Sequence, residues 1–323
     1  MEWRSDPSPL ARWISPVGRI KKVLGRIKPE VVLAGPIQRT AFLVALAGFR
    51  PLVSMSWGYD LLQDAGRNGA WRWATRFTLK RSAAMVGDCA TIRKLAVAYG
   101  MPDERIVTFP WGIDLEHFTP ACHTHPPDVS SAGVEKPFTL LSTRSWEPVY
   151  GVETIARAYV KAASQCPDLR LAMLGNGSQA GLLRRILASA GSDYTGSYPR
   201  VLFPGQIRYA DLPRYYRSAD LYISASHSDG TSISLLEAMA CGRPVLVSDI
   251  PGNREWVQQG ENGWLFPEGD EKALAQAIVQ AVAQRERLPE MGRVARRTAE
   301  QRADWKLNFP QLERAFEIAR TSG

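Results

Sequence analysis

The sequence predicts an α/β protein of two domains, each a parallel sheet with helices on its faces. Three observations carry this reading. Short β-branched runs alternate with helix-period segments along most of the chain, the pattern of strand–helix–strand units. A stretch without periodicity, residues 121–137 (ACHTHPPDVSSAGVEKP), interrupts the alternation before it restarts. The length, 323 residues, suits two domains at about 100–200 residues each.

In the first half, residues 31–35 (VVLAG) read as a strand, 40–48 as a short buried helix and 52–57 (LVSMSW) as the next strand. A helix carrying Trp71, Trp73 and Phe77 leads to a strand at 84–86. The helix over 91–99 ends at Gly100, a good C-cap, and 106–109 (IVTF) is a further strand. After the linker, strands are expected at 138–142, 170–174, 201–203, 221–224 and 244–247. Helices are expected at 152–163, 182–190, 212–218, 234–241 and 273–283. Ligands of such sheets bind at the carboxyl ends of the strands.

Composition narrows the classes. Hydrophobic residues make up 45% of the chain, which supports packed cores and argues against overall disorder. Cys89, Cys122, Cys166 and Cys241 have no metal-ligand spacing and read as scattered, reduced thiols of the cytosol. The opening MEWRSDPSPLARW has charges but no apolar segment, so no signal peptide is expected. The longest apolar run, 41–49, stops at Arg50 and Pro51, short of the ~20 residues of a spanning helix.

The net charge of +8 is uneven. Residues 1–125 hold 17 Lys/Arg against 10 Asp/Glu, and the remainder 23 against 22. A basic first third favours an anionic partner, whether membrane surface, phosphorylated lipid or nucleic acid; a solvated basic surface is the plain alternative. Within it, residues 10–28 interleave Trp13, Ile14, Val17, Ile20, Val23, Leu24 and Ile27 with Arg and Lys. That pattern fits an interfacial helix on anionic lipid, or a surface helix packed on its own domain, with Pro16 and Gly18 weakening its first half.

The densest chemistry lies in residues 226–244, SHSDGTSISLLEAMACGRP. A strand runs into a loop of small residues that opens a helix, where free N–H groups and the helix dipole suit a phosphate. Gly230, Thr231 and Ser232 permit close approach, and Asp229 and Glu237 can accept hydroxyl protons of a sugar or ribose. The same residues admit a local reading: Ser234 and Glu237 have capping-box spacing, and Gly242 with Pro244 ends the helix. Residue types alone leave the two readings level.

The stretch resembles the signature of family-4 glycosyltransferases, which have the GT-B fold: Glu-x7-Glu, then Ala-Met-Ala-x-Gly-x-Pro-Val. Asp229 and Glu237 have that spacing, with Asp in place of the first Glu. Residues 174–177 (LGNG) resemble the family's Gly-x-Gly turn, and 203–207 (FPGQI) with 211–213 (DLP) its base-binding strand end. Residues 261–267 (ENGWLFP) with Gly269 and Asp270 resemble its late turn. Residues 107–114 (VTFPWGID) with Phe118 and Pro120 resemble its Pro-Asn-Gly-Val-Asp segment. The resemblance covers residues 28–320.

It implies that Glu237 binds the ribose hydroxyls of a nucleotide and that Asp229 holds the hydroxyls of the donor sugar. The backbone around Gly230, Thr231, Ser232, Ile233, Ser234 and Leu235 would hold sugar and phosphate. Gly175, Asn176 and Ile207 fall on donor-binding segments. Arg144 matches the Arg that neutralises the leaving diphosphate, where a guanidinium fork stabilises developing charge.

Three departures stand out. Tyr150 occupies a position where the family often has Lys. Trp57, in 56–60 (SWGYD), replaces a His of a Val-His-Gly-x-Asp segment, which makes Trp57, Gly58 and Asp60 candidates for sugar or acceptor contact. The first domain enters the fold near its third strand.

The expected architecture is therefore GT-B, two Rossmann-like domains facing a cleft, the N-terminal one reduced. The expected spans are 1–125 for the acceptor-side domain, 126–303 for the nucleotide-sugar domain, and 304–323 for a helix returning to the first domain. The resemblance implies a retaining, hexosyltransferase-like enzyme using a nucleotide-diphosphate sugar, with no enzymic nucleophile. The alternative is a nucleotide-sugar-binding protein with little transferase activity, because the acceptor half is incomplete. Neither cofactor nor metal is expected: there is no DxD, and His123 and His125 lack supporting ligands. The expected partners are the donor, a saccharide or lipid-linked acceptor and an anionic membrane surface. Nucleic acid is not expected, since no RNP, KH or zinc motif accompanies the charge. The expected location is the cytoplasm, peripheral to the inner face of the membrane.

Overall fold

The structure is a computed structural model that describes residues 9–120, 137–188 and 200–322, with side chains from Pro16 onward. Cys122, His123, His125 and most of the expected linker lie outside the described residues. The chain forms two compact units, one of Met1–Pro110 with Asn308–Gly323, the other of Trp111–Leu307.

The first unit holds a four-stranded parallel sheet in the order β1-β2-β3-β4: β1 Val32–Ala34, β2 Leu52–Met55, β3 Ala84–Gly87 and β4 Ile106–Thr108. Ile37, Leu61, Leu79, Met85, Ile92 and Ile106 pack on one another in its larger core cluster. Ala34, Val44, Ala45 and Leu52 form a second cluster, with Ile20 and Phe77 against it. The closing helix Gln311–Thr321 packs on β3 and β4 and buries Leu312, Ala315 and Ala319, one stripe at helical spacing. The opening helix runs Pro9–Ile27 through Pro16. Ile20 anchors it, while Val23 and Ile27 stay 52% and 66% exposed.

The second unit holds a six-stranded parallel sheet in the order β10-β9-β8-β5-β6-β7. Its strands are β5 Phe138–Ser142, β6 Leu169–Leu174, β7 Val201–Gly205, β8 Leu221–Ser224, β9 Val245–Ser248 and β10 Gly263–Phe266. Both faces are covered, so alternate side chains enter opposite cores: Leu140, Leu171, Met173 and Ile223 on one side, Leu141, Ala172, Leu174 and Tyr222 on the other. β10 was not expected, because GWLF between Asn262 and Pro267 reads as a turn. Gly263 makes the pairing: a Cβ there would lie 2.2 Å from the Val245 carbonyl oxygen. Helix Leu288–Arg302 also escapes the pattern, since its buried stripe of Leu288, Met291, Gly292, Ala295 and Ala299 consists largely of small residues.

Residues 111–120 belong with the second unit. The Ile113 N–H donates to the Ala303 carbonyl at 2.8 Å, the Trp305 N–H to Ile113 at 3.1 Å, and Phe118 is fully buried. Gly112 permits this approach, with φ +81° and a would-be Cβ 2.7 Å from the Trp305 nitrogen. The chain thus changes unit at Pro110–Trp111, ahead of the expected 125/126 boundary, which falls outside the described residues.

Candidate functional site

β5 and β8 are neighbours in the second sheet, so the segments leaving their carboxyl ends lie side by side. From β5 come Thr143 and Arg144. From β8 comes the 225–232 loop, which enters helix Ile233–Ala240.

Arg144 ties the two segments together. Its Nη2 donates to Asp229 Oδ2 at 2.7 Å, and its Nη1 to Ser232 Oγ at 2.7 Å and Ser234 Oγ at 3.1 Å. The guanidinium stacks on the Tyr150 ring, 4.0 Å from its centroid, and its buried Nε has no hydrogen-bond partner among the described residues. Burial raises the Asp229 pKa above the usual carboxylate range, against the pull of Arg144. Burial also opposes the Arg144 charge, but Asp229 and the surrounding tyrosines more than restore it.

The capping box does not form. Ser232 occupies the N-cap position without a side-chain cap bond. Ser234 Oγ instead meets Arg144 and, at 2.8 Å, the Tyr222 hydroxyl. Glu237 accepts from the Tyr216 hydroxyl at 2.7 Å, and that hydroxyl also meets Thr143 Oγ1 at 2.9 Å. The Glu237 carboxyl is buried, which pushes its pKa from the ordinary 4.5 up to about 7, with Tyr216, His117 and Arg144 pulling the other way.

Thr143, Arg144, Tyr150, Ile233, Ser234 and Glu237 line an open pocket of about 250 Å³. The remaining candidates have distinct places. Gly230, Thr231 and Ser232 are buried at the end of the loop, and the Leu235 side chain lies in the core, which leaves only its backbone for a ligand. Gly175 (φ +102°) and Asn176 form the turn under Arg144: the Asn176 carbonyl accepts from the Trp146 N–H, and a Cβ at Gly175 would sit 3.2 Å from the Arg144 carbonyl. Ile207 packs on the core beside helix Leu212–Ser218.

Trp57, Gly58 and Asp60 lie in the first unit. Trp57 is 55% exposed. Asp60 is wholly buried and turned inward. It accepts from the backbone N–H groups of Ile37, Trp57 and Leu61 and from Ser56 Oγ, four bonds that only partly offset the burial that raises its pKa.

Sequence reasoning missed Thr143, Tyr216 and Tyr222, which read as ordinary strand-end and core residues. The available signal was that a buried tyrosine hydroxyl needs a partner. It also missed Gly252, where a Cβ would lie 2.1 Å from the Gly230 carbonyl oxygen, so the 251–254 turn buttresses the loop only as glycine.

Two parallel-sheet α/β units define the GT-B class of fold, and the comparisons agree. The chain is similar to Anabaena HepE, crystallised with UDP, with a TM-score of 0.77 at 21% identity over 97% of this chain and 84% of that one. Residues 137–284 match the family described as glycosyl transferases group 1, so the second unit carries a domain of that group. A phosphatidyl-myo-inositol mannosyltransferase of Mycobacterium leprae is 33% identical over 178 residues, 55% of this chain and 45% of that protein. The GtfA subunit of a UDP-N-acetylglucosamine–peptide N-acetylglucosaminyltransferase of Streptococcus pneumoniae is 29% identical over 187 residues, 57% of this chain. The chain spans 33% of that relative, and under half of both.

Proposed function

We propose that the protein transfers a sugar from a nucleotide-diphosphate donor to a saccharide or lipid-linked acceptor. The observation that carries this reading is the pocket where Arg144, held against Asp229, faces the start of helix Ile233–Ala240 with Glu237 one turn further on. A diphosphate placed there meets a guanidinium and the free N–H groups of a helix start, and a ribose meets a carboxylate. The partnerless Arg144 Nε supports the same placement.

In this reading Arg144 stabilises charge on the leaving diphosphate, and Asp229 holds both that Arg and the sugar hydroxyls. Backbone amides of residues 230–235 hold sugar and phosphate. Gly175, Asn176 and Ile207 complete the donor side, and Tyr150 orients Arg144 in place of a second cation. Trp57, with Gly58 beside it, offers an exposed aromatic face for a sugar or the acceptor. By resemblance to family 4, transfer proceeds with retention: the leaving diphosphate assists acceptor deprotonation on the same face, without an enzymic nucleophile and without a metal.

A thermal-shift series with UDP-, GDP- and ADP-sugars tests the donor. One of them is expected to raise Tm by several degrees, since saturation at 100 times Kd adds about 2.7 kcal/mol to the native state. No shift with any of the three would sink the reading. Anomeric NMR of the product then checks retention.

Among the described residues no helix is long and apolar enough to cross a membrane. Val23 and Ile27, exposed beside Lys21, Lys22 and Arg26, support peripheral contact with anionic lipid. The protein is expected to co-sediment with phosphatidylglycerol vesicles and not with phosphatidylcholine ones; equal recovery from both rejects that contact.

A further inference from the structure

A cavity of about 640 Å³ opens at the other end of the second sheet. Phe138 begins β5, Asp220 directly precedes β8 and Pro244 directly precedes β9, and all three line it. The cavity thus lies at the amino ends of the strands, about 15 Å of strand away from the pocket at their carboxyl ends.

Among the described residues five arginines and no lysine line it: Arg243, Arg285, Arg293, Arg296 and Arg297. Two are already committed. Arg296 donates to the Phe118 and Ala240 carbonyls and to Glu300, and Arg285 pairs with Asp168. The other three are not neutralised one for one. Arg293 and Arg297 share the single carboxylate of Glu290, Arg297 only at 3.9 Å. Arg243 donates to the carbonyls of Ala219 at 3.0 Å and Cys241 at 3.4 Å, and among the described residues no carboxylate lies within ion-pair distance of it. Among the described residues Asp220 is the one carboxylate in the lining, and it accepts from the Thr139 N–H at 2.8 Å. Burial pulls the Arg243 pKa down, with Asp220 only partly opposing it, which marks a desolvated cation short of negative charge.

The packing brings together the backbones that carry Arg243, Arg293 and Arg297. A Cβ at Gly292 would lie 2.2 Å from the Gly242 carbonyl oxygen, so the paired glycines bring helix Leu288–Arg302 against the Gly242–Arg243 turn. The rest of the wall is apolar, with Phe138, Leu288, Pro244 and Pro289. Converging guanidinium forks match the several oxygens of a phosphate, and an apolar wall of this size takes an organic body as well as an ion.

We propose that this cavity is a second anion site, which takes a phosphorylated organic metabolite through Arg243, Arg293 and Arg297. The site shares no lining residue with the donor pocket. Because Arg243 follows helix Ile233–Ala240 after only Cys241 and Gly242, and that helix carries Ser234 and Glu237, occupancy bears on the far end of the element that shapes the donor pocket.

Isothermal titration with fructose 1,6-bisphosphate, with fructose as the uncharged control, tests it. The protein is expected to bind the bisphosphate and not fructose, and to bind less tightly as salt rises. Arg144→Gln, which disables the donor pocket, is expected to keep that affinity. The double variant Arg293→Gln with Arg297→Gln is expected to lose about 10–100-fold. These two side chains are 68% and 56% exposed, so their loss leaves the core intact, and a Tm within a degree or two of the parent checks this. Failure of the parent protein to bind at millimolar bisphosphate would overturn the proposal. So would loss of binding in Arg144→Gln shown by its melting curve to be folded at the assay temperature, or undiminished binding by a folded double variant.

Discussion

Arg144→Gln is expected to lower turnover about 10²–10³-fold, the usual cost of removing one preorganised donor from a developing charge. Affinity for the free nucleoside is expected to change little, because the partner of Arg144 in this reading is the diphosphate, whose charge grows as the bond breaks. A second effect accompanies the first. Arg144 and Asp229 are 11% and 19% exposed, and removing one member of a buried pair strands the other. Such a loss typically costs about 3–5 kcal/mol, so the Tm is expected to fall as well. Arg144→Gln combined with Asp229→Asn separates the two effects: it should regain much of the stability and none of the turnover. Normal turnover in the single variant would remove Arg144 from the reaction.

Glu237→Gln is expected to stabilise the free protein at pH 8 while weakening donor binding about 10–100-fold, the worth of a hydrogen bond to a charged group. The sign follows from burial, which raises the carboxyl pKa from 4.5 to about 7. Between those values the folded state holds a proton that the unfolded state has released. The resulting stabilisation is full below about pH 4.5 and is lost as the pH climbs through about 7. A shift of that size corresponds to about 3 kcal/mol. Melting curves from pH 4.5 to 8 should therefore slope downward for the parent and flatten for Glu237→Gln. Donor affinity should do the reverse. The ionised carboxylate is the stronger acceptor for ribose hydroxyls, so binding is expected to tighten as pH rises through about 7 in the parent and to stay flat in the variant. A parent whose donor affinity ignores pH across this range would separate Glu237 from the ribose.

Loss of the capping-box reading sharpens this test. Ser234 and Glu237 turn to Arg144, Tyr222 and Tyr216, so Glu237→Gln removes no helix cap, and a change in donor affinity does not pass through helix fraying. The Tyr216 hydroxyl, bonded to Thr143 as well, is already placed to serve a neutral amide in the same position.

The sequence by itself determined the order of strands and helices through most of both units, because apolar period is a local property. It also marked Arg144, Asp229 and Glu237 as candidates, through the resemblance of their segments to a family signature, because such a signature is written along the chain. Where local pattern is weak it fell short: GWLF at β10 carries turn residues on both sides, and the buried stripe of Leu288–Arg302 is largely glycine and alanine. Only the tertiary structure decided what those charged groups touch. Arg144 meets Asp229 across 85 positions and Ser232 across 88, because β5 and β8 are adjacent in the sheet. Strand order is set by long-range packing that no window of sequence contains. Burial is equally non-local: it makes Glu237 a group that titrates near neutrality, turns Asp60 into an anchor for its own backbone, and leaves Arg243 a desolvated cation at the opposite end of the sheet.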